Sequence, residues 1–357
     1  MRNRIVHLGI GALLVLGYFA GLPGFLWTPG SGLAIAPVMV TGDAETPPAL
    51  PPQTGQHAAW VTADDGITLL WARGDGLYAA RWAPGEAAWS PPEPWLDAGL
   101  AGEGWLDGGF VPQRLADDSL AIHFIQPGPF PALARLERGG DGHWRRHRAG
   151  QVLPLPGGEP TLRAPGLPLR DGGLWMTVQV GDRESLYAVS ADGRLQGRQF
   201  LSAPGEQISL LAESEAELLA LLAPAQPGLA RWRASADLGH RWTLAAPLQA
   251  LAEVAPVPLA AVRLDARDWG LVRSDPSGQL FWHRSRDGGQ QWLAPQALVR
   301  SSVACLQQQP PALHGGRDGL LHLVYPQHDG TREGDCRLHY LPFRVDGRVL
   351  NRESNHE

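Results

Sequence analysis

Three carboxylates, Asp107, Glu159 and Glu206, each stand in a short polar segment ahead of an apolar run. A pair such as Asp107 and Glu159 can supply the acid and the base of a glycoside hydrolase if the two lie at a suitable separation. Other groups in the same kind of segment suit a gentler task. Trp105 offers an aromatic face for the C–H side of a sugar, and Arg163, His57, Gln207, Gln308 and Gln309 offer bonds to its hydroxyls. Composition narrows the choice. All 30 basic residues are Arg, which excludes Schiff-base chemistry, a Walker-type phosphate loop and a lysine general base. A net charge of −6 leaves no basic face for general nucleic-acid binding. His143 and His147 sit among Arg145, Arg146 and Arg148, which reads as a solvated basic edge, and His314, His322 and His328 form no ligand set. Neither a metal nor a cofactor is implied.

These side chains must be held by the elements around them, and those elements repeat. An acidic turn precedes a five- to seven-residue apolar strand six times: before Ile67–Trp71, Leu120–Ile125, Leu174–Val180, Leu218–Leu222, Trp269–Arg273 and Leu320–Tyr325. Third strands start near Leu77, Leu133, Leu186, Leu229, Leu280 and Leu338, in steps of 56, 53, 43, 51 and 58 residues. Evenly spaced short strands between Gly/Asp turns, about four to a unit, predict an all-β, six-bladed β-propeller of about 24 strands. No 3.6-residue apolar stripe follows Trp27, so a parallel α/β fold is excluded. Even Glu206 through Leu222, helical in composition, reads by its place in the repeat as strand, turn and strand.

Two hairpins carry a sharper mark. Ser235-Ala-Asp237-Leu-Gly239-His-Arg-Trp242 and Ser285-Arg-Asp287-Gly-Gly289-Gln-Gln-Trp292 share the pattern S-x-D-x-G-x-x-W. Fragments recur at Asp141-Gly142-His143-Trp144 and Ser190-Ala-Asp192-Gly193. A carboxylate at the bend accepts backbone N–H groups, Gly supplies positive φ and Trp covers the turn. The pattern resembles the Asp-box, or BNR repeat, of the sialidase-like propellers, and the resemblance covers about residues 56–350. It implies that Asp237 and Asp287 are structural and lie on outer hairpins away from the axis.

The resemblance also implies three arginines that clamp a substrate carboxylate, a Tyr nucleophile activated by Glu, and an Asp acid/base. A bidentate guanidinium matches a carboxylate, and a neutral Tyr can attack a centre beside an anion. This chain departs from that pattern. The segment ahead of the first turn, Gln56-His57-Ala58-Ala59-Trp60, has no Arg, and Gln307-Gln308-Gln309-Pro310 stands where the Tyr belongs. Val254-Ala255-Pro256-Val257-Pro258 also lacks an Arg, while Tyr325 and Tyr340 fall on later strands as packing residues. Only Arg163 stands where a clamp arginine would face the axis, so the sialidase mechanism does not carry over.

Arg2 and Arg4 precede an apolar run from Ile5 to Trp27 that is longer than a signal h-region. The reading is a signal anchor or transmembrane helix over residues 1–27 with the remainder outside the cytoplasm, in the periplasm or exported if the signal is cleaved. A Pro/Gly-rich tether (28–55), the propeller (56–351) and a short tail (352–357) follow. In an exported domain, Cys305 and Cys336 form a disulfide worth about 3 kcal/mol. Two buried thiols or half of a metal site are the alternatives, and neither has CxxC spacing. The expected function is to bind or process an envelope or extracellular polysaccharide. Three alternatives remain: an axis lined with polar groups and water, a scaffold docking another envelope protein, and a hydrolase using axial carboxylates.

Overall fold

The computed structural model describes residues 57–346 apart from 62–65, 74–75, 84–85, 87–88, 97–104, 107, 116–118, 154–158, 170, 200–201, 213–217, 225–229, 249–259, 266, 317–318 and 329–335. The expected anchor, tether and tail lie outside these residues. No helix among the described residues is long and apolar enough to cross a membrane.

Six antiparallel sheets, here called blades, follow one another along the chain. Blade 1 contains β1 (His57–Val61), β2 (Ile67–Arg73), β3 (Gly76–Trp82) and β4 (Glu93–Leu96). Blade 2 contains β5 (Phe110–Arg114), β6 (Leu120–Gln126), β7 (Ala132–Arg138) and β8 (Trp144–Val152). Blade 3 contains β9 (Pro160–Pro168), β10 (Leu174–Val180), β11 (Arg183–Val189) and β12 (Leu195–Gln199). Blade 4 contains β13 (Gln207–Ala212), β14 (Leu218–Ala223), β15 (Arg231–Ser235) and β16 (Ala246–Pro247). Blade 5 contains β17 (Ala260–Arg263), β18 (Trp269–Ser274), β19 (Gln279–Ser285) and β20 (Gln296–Arg300). Blade 6 contains β21 (Ala312–Gly315), β22 (Leu320–His328) and β23 (Cys336–Arg344), three strands among the described residues where four were expected. The first strands touch in cyclic order, β1 to β5, β9, β13, β17 and β21, and β21 returns to β1.

The second strands are apolar almost throughout because both faces of each sheet are covered. Successive side chains point to opposite faces, so adjacent residues enter different cores. Leu69 joins the blade 6–blade 1 core and Leu70 the blade 1–blade 2 core. Met176 packs towards blade 2 and Trp175 towards blade 4. Leu271 packs towards blade 4 and Val272 towards blade 6. One core cluster thus fills each of the six gaps, including the closing one, where Trp82 and Trp89 meet Tyr340 at ring-centroid distances of 5.4 and 5.2 Å. His322 Nδ1 lies 2.8 Å from the Tyr340 hydroxyl in the same seam. Tyr325 and Tyr340 are buried, and burial pushes the Tyr325 phenol up to about 12.

The two Asp boxes are built alike. Ser235 Oγ accepts the Gly239 N–H at 2.7 Å and donates to Asp237 Oδ1 at 2.8 Å, and Asp237 Oδ1 also accepts the Arg241 N–H. In the second box Ser285 accepts the Gly289 N–H and donates to Asp287, which accepts the Gln291 N–H, each at 2.8 Å. Trp242 and Trp292 donate to the Gly239 and Gly289 carbonyls. Gly239 (φ +88°) lies against the Trp175 ring, where a Cβ would come within 2.6 Å, so the left-handed turn and the close approach both require glycine. The Arg241 N–H first, and then the Ser235 hydroxyl, hold the Asp237 carboxyl below its usual range. Burial pushes Asp287 up, but the Gln291 N–H and Ser285 hydroxyl outweigh it and leave that carboxyl low as well.

A six-residue helix α1 (Val303–Gln308) leads into blade 6, against the expectation of strands and turns alone. Its buried residues Cys305 and Leu306 anchor it, and the expected disulfide joins Cys305 to Cys336 at the start of β23, with Cα atoms 5.5 Å apart.

Candidate functional site

Strand register separates two ends of the molecule. Ser235 pairs with Leu218 and Ser285 with Trp269, so both boxes lie where the second strands begin. The first strands start at the opposite end, where Gln207 pairs with Ala223 and Pro160 with Val180. A cavity of about 80 Å³ opens among the first strands. That is room for several waters or the end group of a ligand, at roughly 10–15 Å³ per water. Its walls are Arg163, Thr177 and Glu184 of blade 3, Gln207 to Ser209 of blade 4, Ala260 and Ala261 of blade 5, and Pro310 to Leu313 at blade 6.

The polar wall follows from pairing. In blade 3, Thr177 is opposite Arg163 on one side and Leu186 on the other, and Gln179 is opposite Glu184. Paired residues share a face, so these groups continue the face on which Trp175 and Leu186 pack against blade 4. At this end the interface changes from apolar to polar. Arg163 Nε donates to Gln179 Oε1 at 2.7 Å and Nη2 donates to the same oxygen, while Gln179 Nε2 donates to the Gly181 carbonyl. Glu184 is 7 % exposed, and its Oε2 accepts the Ile208 N–H of β13 at 2.6 Å. Its Oε1 lies 3.9 Å from Arg163 Nε. Burial pushes the Glu184 carboxyl up to about 7, against the opposing pull of the Ile208 N–H and then of Arg163. Burial outweighs the guanidinium because its Nε hydrogen is directed to Gln179 and the ion pair is at the limit of contact.

Of the residues expected at the site, Arg163 and Gln207 line this cavity. Trp105 does not. It is 1 % exposed and packs edge-to-face on Phe124 at 5.2 Å in the blade 1–blade 2 core, so it has no face for a sugar. Glu206 is not a free acid: Arg231 Nε reaches its Oε1 at 2.9 Å and the Ala203 N–H its Oε2 at 2.7 Å. Glu159 is exposed just ahead of β9 and does not line the cavity. Gln308 ends α1 and Gln309 continues its hydrogen bonding to the Cys305 carbonyl, so Pro310 and Pro311 take the wall position expected of the glutamines. His57 opens β1 opposite Trp71. Asp107 lies outside the described residues. Glu184 is not among the residues expected at the site, because it stands on the third strand of its unit rather than the first. Its signal was the alternation of Glu184, Leu186 and Ala188, which puts an acid on a core-facing row.

The sequence matches no protein-family model and no curated protein. Among solved structures it is similar to a Hadza microbial sialidase, with TM-score 0.56 and 12 % identity over 83 % of this chain. The chain spans 66 % of that sialidase's length. The six-bladed fucose-recognising lectin of Aleuria aurantia gives TM-score 0.57 and 13 % identity, covering 83 % of this chain and 94 % of that one. The NanB sialidase of Streptococcus pneumoniae gives 0.55 and 7 %, covering 86 % and 70 %. The fold is therefore that of the sialidase-like propellers. At these identities the likeness concerns the fold alone.

Proposed function

We propose that this chain is an exported, membrane-tethered propeller that binds a cell-envelope or extracellular polysaccharide at the cavity between its first strands. The observation that carries the reading is the cluster of Arg163, Glu184 and Gln207, drawn from adjoining blades into one cavity at the end opposite the Asp boxes. Such a cluster offers hydrogen bonds of both senses to a hydroxyl-rich ligand beside apolar walls. The likeness to a fucose-recognising lectin and to sialidases supports a sugar as the ligand. Binding is favoured over hydrolysis because the described walls contribute one carboxyl, Glu184, where a glycosidase of the usual kind needs two. The basic N-terminus and the apolar run that follows it support the tether.

The test is native mass spectrometry of the full-length chain, extracted from membranes, with fragments of the host's surface polysaccharides. Adducts on the wild type that are lost in Arg163→Ala are expected. Shortened products would replace the binding reading with a hydrolase. A broad panel without adducts or products would remove sugar as the ligand and turn attention to a protein partner.

A further inference from the structure

Arg163 and Glu184 meet in the cavity without satisfying one another. Gln179 Oε1 engages both Nε and Nη2 of Arg163, and Nη1 makes no hydrogen bond among the described residues. Glu184 Oε2 is held by the Ile208 N–H, while Oε1 makes no hydrogen bond among the described residues and lies 3.9 Å from Arg163 Nε, whose hydrogen is already directed to Gln179. Arg163 and Glu184 therefore line the same small cavity, each with a polar atom that makes no hydrogen bond among the described residues, and the Glu184 side chain is only 7 % exposed.

The charge of that pair depends on Glu184. Ionised, it neutralises Arg163 and repels an anion. Protonated, it leaves the net positive charge of Arg163 and adds an O–H donor. Burial outweighs the neighbours that favour the ionised form, the Ile208 N–H and then Arg163. Arg163 on β9 is the charged group that faces it; β10 presents Thr177 and Gln179, and β13 presents Gln207, Ser209 and the Ile208 N–H. Glu206, one residue ahead of β13, is paired with Arg231. On β11 itself Arg183 is exposed and Ser185 lies on the opposite face.

We infer that Glu184 is a proton-linked selectivity residue and that the cavity takes an acidic sugar of the hexuronate class, whose carboxylate bridges Arg163 Nη1 and the hydroxyl of protonated Glu184. The inference rests on reading the cavity as a sugar site. Binding consumes a proton whenever Glu184 is ionised in the free protein. With the carboxyl at about 7, the protonated fraction falls about tenfold between pH 6 and pH 8, and the apparent affinity falls with it.

Isothermal titration of the full-length chain with a galacturonic acid trisaccharide and with a neutral galactose trisaccharide tests this. The uronide is expected to bind about tenfold more weakly at pH 8 than at pH 6. At pH 8, buffers of different ionisation heat should report uptake of about one proton per ligand. Glu184→Gln keeps an acceptor for the Ile208 N–H and supplies a permanent donor, so it should bind the uronide about tenfold more tightly than wild type at pH 8. Uronide binding that is flat in pH, or that takes up no proton, overturns the inference without recourse to any variant. Binding of the neutral trisaccharide in preference to the uronide also overturns it but leaves the sugar site standing. If neither these probes nor the surface-polysaccharide fragments bind, both readings fall.

Discussion

Gly270, the second residue of β18, provides the sharpest test of how the blades pack. It pairs with Val262 and Arg284, and a Cβ added there would lie 1.8 Å from Trp282 Cη2 and 2.4 Å from Cζ3. The Trp282 backbone is fixed by its pairing with Val272, so Gly270→Ala must swing the ring. The ring would then lose the bond from Nε1 to the Val345 carbonyl (3.1 Å) and its edge-to-face contact with Phe343 (5.3 Å). Those losses are each about 1 kcal/mol, and overpacking adds about 1–3 kcal/mol, which gives about 3–5 kcal/mol in all. Trp282→Leu alone opens a cavity and costs about 2–4 kcal/mol. If the clash is the cause, the double variant is no less stable than Trp282→Leu alone, a coupling of about 3 kcal/mol or more. Urea unfolding of the four proteins, followed by far-UV circular dichroism, measures it. Single effects that add to within about 0.5 kcal/mol would refute the reasoning. Ala260 and Leu313 belong to the same core and to the cavity wall, so sugar affinity should fall in Gly270→Ala as well.

Three further outcomes follow from the same geometry. The Asp237 and Asp287 carboxyls lie below their usual value of 3.8, so their contribution to stability is present above that pH and is lost as pH falls through the lower folded values. Melting temperatures between pH 6 and pH 2.5 should therefore drop more steeply for wild type than for the Asp237→Asn, Asp287→Asn double variant. His283 accepts the Arg273 Nε hydrogen at 2.8 Å, and burial followed by the Arg273 charge brings it down to about 4. Its contribution is full above pH 6.5 and declines as pH falls towards 4, and His283→Gln should flatten the melting curve in that window. Trp105→Ala should destabilise the protein by about 3–5 kcal/mol yet leave sugar affinity in the folded protein unchanged. Lost affinity in a variant of normal melting temperature would return that ring to the site.

The repeat was legible because its physical cause is written in every unit. Ile67, Leu120, Leu174, Leu218, Trp269 and Leu320 each begin the second strand where the sequence places it, since a sheet covered on both faces needs an unbroken apolar run after its turn. The Asp boxes were equally plain, their bonds being local to one hairpin. Helix α1 was not. Ser302 makes no side-chain cap, the first turn holds no acid, and the helix is held by what Cys305 and Leu306 touch rather than by its own sequence. Trp105 misled because a loop aromatic can fold back into the core as readily as face a ligand. Glu184 was legible only as an acid on a core-facing row, because its place at the cavity depends on β9, β10 and β13 meeting, a tertiary fact.

The seam between the last blade and the first has a consequence for synthesis. The face of blade 1 that carries Ile67, Leu69, Trp71 and Trp82 finds its cover in Ala312, Val324, Leu338 and Tyr340, about 250 residues later. At roughly 5–20 residues per second, a ribosome takes on the order of 10–50 s to supply that cover. Each other gap is filled by the next blade to be made, so only the first blade waits through nearly the whole of translation with tryptophans uncovered. An exposed apolar sheet face of that duration invites pairing with another nascent chain. The yield of folded protein should therefore depend on how fast the last blade arrives, more than on the stability of any blade in between.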